Sequence, residues 1–134
     1  MTDAEYEVAR DRIEALRTKW SKTLGLHRWA VDYEYCREGL PTKSDDAKDN
    51  YVSTATATVR WQYHDATIRF NVPELAECSD TKIERIVIHE MMHVLVNEMR
   101  DTSDDWLKHE ERVCTMLTDA ILWTRDEAKG EPKS

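Results

Sequence analysis

Residues 86–96 read IVIHEMMHVLV, placing two histidines and a glutamate inside the most apolar stretch of the chain. Such a run belongs in a core, and burying imidazole or carboxylate groups without partners is costly. The stretch must therefore be a central element whose polar side chains are gathered where something satisfies them. Ser79 or Asp80 offers a helix N-cap, and neither proline nor glycine interrupts residues 80–100. At ~100° per residue, His93 falls about 40° and Glu90 about 100° from His89, so the three share one arc of the helix. Val87, Met91, Val94 and Leu95 take the other side.

The spacing of His89, Glu90 and His93 suits one chemistry. Histidines at i and i+4 stand one above the other, so their rings can converge on one Zn²⁺. The glutamate next to the first histidine reaches a metal-activated water and takes its proton. A catalytic zinc site usually has three protein ligands and one open position, so a third donor must come from elsewhere. The segment KHEERVCTML (108–117) supplies candidates. With Glu110 at 0° on a helical wheel, Val113, Leu117, Ile121 and Cys114 lie within about 60° of it. Glu110 is therefore centred on the inward face. His109 and Glu111 lie about 100° to either side. Glu110 is the expected third ligand, with His109 and Glu111 as alternatives.

The rest of the chain reads as an α+β arrangement. Val8, Ile13, Leu16, Trp20 and Leu24 recur at helical spacing across residues 3–24, and Gly25 is a stop signal. Alternation in LHRWAVDYEYC (26–36) marks a strand. Residues 37–50 are polar and read as a solvated connector. YVSTATATVRWQY (51–63) and TIRFNV (67–72) read as two strands joined by a turn at HDA (64–66). The strand TIRFN (67–71) is expected to offer an edge to an extended peptide. Pro73 and the acidic ELAEC segment end the sheet, and residues 105–125 form a last helix. The five tryptophans are expected in core or helix–sheet contacts, and His27 and His64 on the surface.

Composition narrows the function classes. A net charge of −8 disfavours nucleic acid as the main ligand. No run approaches the ~18 apolar residues of a membrane span. The charged N-terminal segment does not read as a secretory signal, and three widely spaced cysteines do not form a disulfide framework. A cytoplasmic location is expected.

HEMMH (89–93) resembles the HExxH motif of the zincin metallopeptidases. A glutamate 17 residues after the second histidine resembles the gluzincin arrangement of thermolysin-type enzymes. The chain is also similar to small phage and prophage metallopeptidase-like proteins, through W…LGLHRWAVDY, a threonine-rich strand pair and a closing EExV…L segment. Phage origin would place it in the host cytoplasm. The resemblance implies a minimal zincin over residues 1–125: a leading helix, a small antiparallel sheet of about three strands, the HExxH helix and a ligand helix. Residues 126–134 would be a flexible tail. It implies Zn²⁺ held by His89, His93 and Glu110, with Glu90 as general base in hydrolysis of a peptide or protein substrate. Two features depart from the thermolysin pattern. Cys114 stands where those enzymes carry an aspartate, and no oxyanion-stabilising residue is assigned, with Tyr51, Tyr63 and Arg112 the residues considered. SprT-like proteases are the second resemblance, with a third histidine near the position of His109. A non-catalytic zinc-binding regulatory or interaction module is the alternative from another class.

Overall fold

A computed structural model describes residues 1–40, 53–97 and 104–129. Four helices and a three-stranded sheet make an α+β fold. Helix α1 spans Asp3–Thr23 and opens on a capping box: the Thr2 hydroxyl accepts from the Glu5 amide, and the Glu5 carboxylate accepts from the Thr2 amide. Gly25, at φ +76°, turns the chain out of the helix in the left-handed region that glycine adopts without strain. The connector expected at residues 37–50 lies mostly outside the described residues.

Strand β1 is Ala30–Cys36, β2 Ala55–Arg60 and β3 Asp65–Asn71, in the spatial order β1-β3-β2. β2 and β3 pair antiparallel, as a hairpin must. β1 pairs with β3 in parallel, from Ala30 opposite Asp65 to Cys36 opposite Asn71. The sheet is thus mixed, not wholly antiparallel. The cause is strand order: β1 docks on the far edge of β3 instead of beside β2. β3 is consequently central, and the peptide edge expected at TIRFN does not exist there. The hairpin turn lies earlier than HDA, in a 3₁₀ turn at Trp61–Tyr63, with His64 at φ +52°. His64 and His27 are exposed, and the His64 ring lies 5.1 Å from that of Trp29, tilted by 38°.

Ala66, Ile68 and Phe70 of β3 point into the core, while Arg69 points out and bonds Glu34 on β1 at 2.6 Å. One face of the sheet is therefore packed and the other solvated. Asn71 caps the short helix α2 (Val72–Ala76), whose Pro73 sits in the first turn. Ser79 caps α3 (Asp80–Val96) through its hydroxyl to the Lys82 amide. Ile83, Val87, Ile88, Met91 and Val94 of α3 are fully buried between the sheet, α1 and α4 (Asp104–Lys129). Each such side chain contributes roughly 1.5–3 kcal/mol on burial. Helix α4 continues past the expected end at residue 125. Trp20 is buried, but Trp123 is 54% exposed and lies outside the core, contrary to its expected role. No helix among the described residues is long and apolar enough to cross a membrane.

Glu84 on α3 is a buried carboxylate with three partners. It accepts from Trp20 Nε1 at 2.9 Å and from Arg125 Nη1 on α4, with Lys19 Nζ 3.7 Å away. Burial pushes its pKa up, but the bonds from Arg125 and Trp20 outweigh burial and hold it below the usual carboxylate range. A depressed pKa contributes stability that is full above the unfolded value of about 4.5 and is lost as pH falls through the folded value. Glu84→Gln should destabilise the fold by about 2–3 kcal/mol at pH 7, measured by urea unfolding. The gap from wild type should narrow below about pH 4.5. An unchanged gap in acid would mean that the charge of Glu84 is not what binds the helices.

Candidate metal centre

α3 turns its polar arc toward α4 and the start of β2. His89 Nε2 and His93 Nε2 lie 3.2 Å apart. Glu111 of α4 closes a triangle with them: Oε2 is 3.1 Å from His89 Nε2 and Oε1 is 3.0 Å from His93 Nε2. The three residues are the one His/Cys/Asp/Glu group among the described residues whose donor atoms could hold a metal ion. Ligands at ~2.0–2.1 Å around tetrahedral zinc stand about 3.3 Å from one another. The two ring nitrogens stand close to that value, each has a Glu111 oxygen near it, and one donor atom from each residue falls within 4.8 Å of the others, so the donor set can hold the metal the motif implies.

Glu110, the expected third ligand, is elsewhere. It is buried, as its central position on the inward face of α4 requires, but it lies behind the His93 ring. Its Oε1 is 3.0 Å from His93 Nδ1, and Cys114 Sγ is 3.5 Å from the same nitrogen. A carboxylate at Nδ1 fixes the proton there and turns the Nε2 lone pair toward the metal position. Glu110 is thus placed to orient His93, and Glu111 to complete the donor triangle. The physical reason is the packing angle. The centre of α4's buried stripe meets the body of α3, whereas an open metal position needs a donor from the rim. His109 is exposed and outside the cluster. The sequence signal for Glu111 is its place on the flank of the amphipathic α4, the side of such a helix that borders an open cleft.

Without metal, the cluster holds a proton. Burial disfavours charge on His93, but bonds to Cys114, Glu111 and Glu110 outweigh it and push its pKa up to about 11. Bonds from His89 and His93 hold the Glu111 carboxyl well below its usual range. A raised pKa contributes stability that is full below the unfolded value of about 6.5 and is lost as pH climbs through about 11.

Glu90 is nearly buried and lines the same cleft as His89 and Glu111. This cavity of about 230 Å³ lies between α3, α4 and the start of β2 at Ser53–Ala55. Of the considered oxyanion residues, neither Tyr63 nor Arg112 lines it. Tyr63 is 73% exposed and Arg112 is exposed, and Tyr51 lies outside the described residues. Comparison of the chain with protein-family models, curated proteins and solved structures returned no match.

Elemental analysis should find about one zinc per chain in wild type, the count a three-donor site takes. Glu111→Ala should lose most of it, and His109→Ala should keep it. Glu110→Ala should retain zinc at about 10–100-fold lower affinity, the usual cost of removing an orienting carboxylate. Loss confined to Glu110→Ala would make Glu110 the ligand after all. Zinc loading at pH 7.5 in weak buffer should also release about one proton per site, since metal and proton compete for His93.

Proposed function

We propose that the chain is a zinc-dependent peptidase of the zincin type. The observation that carries this reading is the triangle of His89, His93 and Glu111 donors with Glu90 on the wall of the same cleft. Bound zinc would polarise a peptide carbonyl and acidify a water molecule. The chain's own residues supply the rest. His89, His93 and Glu111 hold the ion, and Glu110 keeps the His93 ring in register. Glu90 accepts the proton of the attacking water and delivers it to the departing amine. Among the described residues β2 pairs with β3 alone, so its outer edge, which begins beside the cleft, is where an extended peptide would add as a strand.

Two observations favour this reading over its alternatives. Three donors among the described residues, grouped on the wall of a cleft, are the set a catalytic zinc site takes. The carboxylate in third place, with His109 exposed, favours a gluzincin-like arrangement over a SprT-like one.

The test is a peptide library incubated with zinc-loaded protein and read by mass spectrometry. Wild type should cleave a subset of sequences. Glu90→Gln should bind zinc equally well yet cleave about 10²–10⁴-fold more slowly, the span expected for a general base. Equal cleavage by Glu90→Gln would remove the base assignment. No cleavage by zinc-loaded wild type, on the library or on folded proteins, would leave a metal-binding module.

A further inference from the structure

We infer that the cleft recognises a carboxylate of the substrate through Arg85. This rests on the peptidase reading and names the substrate class of the same site.

Arg85 precedes His89 by four residues, so its side chain projects from the same face of α3, one turn away from the donor triangle. It is the one cation that lines the cleft among the described residues. Asp119 on α4 pairs with its Nη1, yet Asp119 does not line the cleft. The carboxylate therefore holds the guanidinium from outside. A guanidinium carries five N–H donors in a planar fork, and Asp119 is bonded to Nη1 alone. The side chain is 50% exposed, so its other donors reach solvent in the cleft.

The remaining walls offer no second fixed positive charge to an anion, only the neutral hydroxyls of Ser53, Thr54, Thr115 and Thr118 and the His89 ring. Ser53 Oγ donates to the Ala55 carbonyl at 3.1 Å, and Thr118 Oγ1 donates to the Cys114 carbonyl at 2.7 Å. Those two hydroxyl protons are already committed, and the neutral hydroxyls of Thr54 and Thr115 attract an anion less strongly than a guanidinium does. At the metal end the carboxylates of Glu90 and Glu111 offset the charge a bound Zn²⁺ would bring, so Arg85 supplies the uncompensated positive charge at the other end of the cleft. A carboxylate entering the cleft is thus directed to Arg85, with its adjoining amide toward the metal. The cavity, about 230 Å³, is below the roughly 300–1,000 Å³ of sites for drug-sized ligands, which suits one short residue. Such a carboxylate has two sources: the side chain of an aspartate or glutamate within a chain, or the free α-carboxylate of a terminal residue. Both present the same planar pair of oxygens to the fork.

The experiment uses three succinyl hydroxamates, whose hydroxamate end binds zinc, titrated calorimetrically into zinc-loaded protein. One carries aspartate amide, one alanine with a free carboxylate, and one alanine amide. At least one carboxylate probe should bind about tenfold or more tighter than the neutral probe, the scale of one charge-assisted hydrogen bond. Tighter aspartate amide identifies an internal acidic residue, and tighter free alanine identifies a chain terminus. Arg85→Gln should erase the preference and leave alanine amide within about twofold of wild type, because that probe makes no charge-assisted bond to lose. Asp119→Asn, which frees the guanidinium, should enlarge the preference. Equal binding of all three probes to wild type, or a preference that survives Arg85→Gln, would overturn the role of Arg85 while the metal site stands. Failure of all three to bind the zinc-loaded protein would remove the peptidase reading, and this inference with it.

Discussion

The burial of α3 is the constraint on which the rest of the structure depends. Its apolar side chains fill the space between the sheet, α1 and α4, and five of them are wholly enclosed. With those positions committed to the core, the helix has no rotational freedom left. His89, Glu90 and His93 are carried to a flank outside the packed core, and the fold must meet them there with something polar. It does so with α4 and with the first residues of β2.

Charge fixes how α4 meets that flank. Glu84 pairs with Arg125, Arg85 with Asp119, and His93 with Glu110. As the α3 number rises, the α4 number falls, so the two helices run antiparallel with a defined register. Apolar residues alone would tolerate a slip of one turn between two such helices. A slip here would strand the buried Glu84 and Glu110 carboxylates away from their partners, at a cost of several kcal/mol. The same register sets Glu111 beside the two histidines. Pairs that look like stability devices therefore also place the donor atoms.

Adjacent glutamates acquire opposite tasks from this packing. Glu110 is enclosed behind His93, and the side chain of Glu111 is 58% exposed at the mouth of the cleft. An enclosed carboxylate suits a fixed hydrogen bond to a ring nitrogen, where it holds one tautomer. A carboxylate at the rim can approach an ion and still leave room for substrate. Cys114, which stands where an aspartate would be expected from the thermolysin pattern, also touches His93 Nδ1.

Much of this was legible in the residues themselves. The helix of IVIHEMMHVLV, its cap at Ser79, the convergence of His89 and His93, and the inward direction of Glu110 all follow from helical periodicity, which is a local property of the chain. The α+β composition follows equally from local alternation and period. Three features were not legible. β1 lies parallel to β3, TIRFN is the central strand with β1 and β2 at the edges, and Glu111 closes the donor triangle. Each depends on which surfaces meet across long separations in sequence. A helical wheel can say that Glu110 faces inward, but only the crossing of α4 over α3 decides that inward means behind His93, and that the flank, not the centre, borders the open cleft.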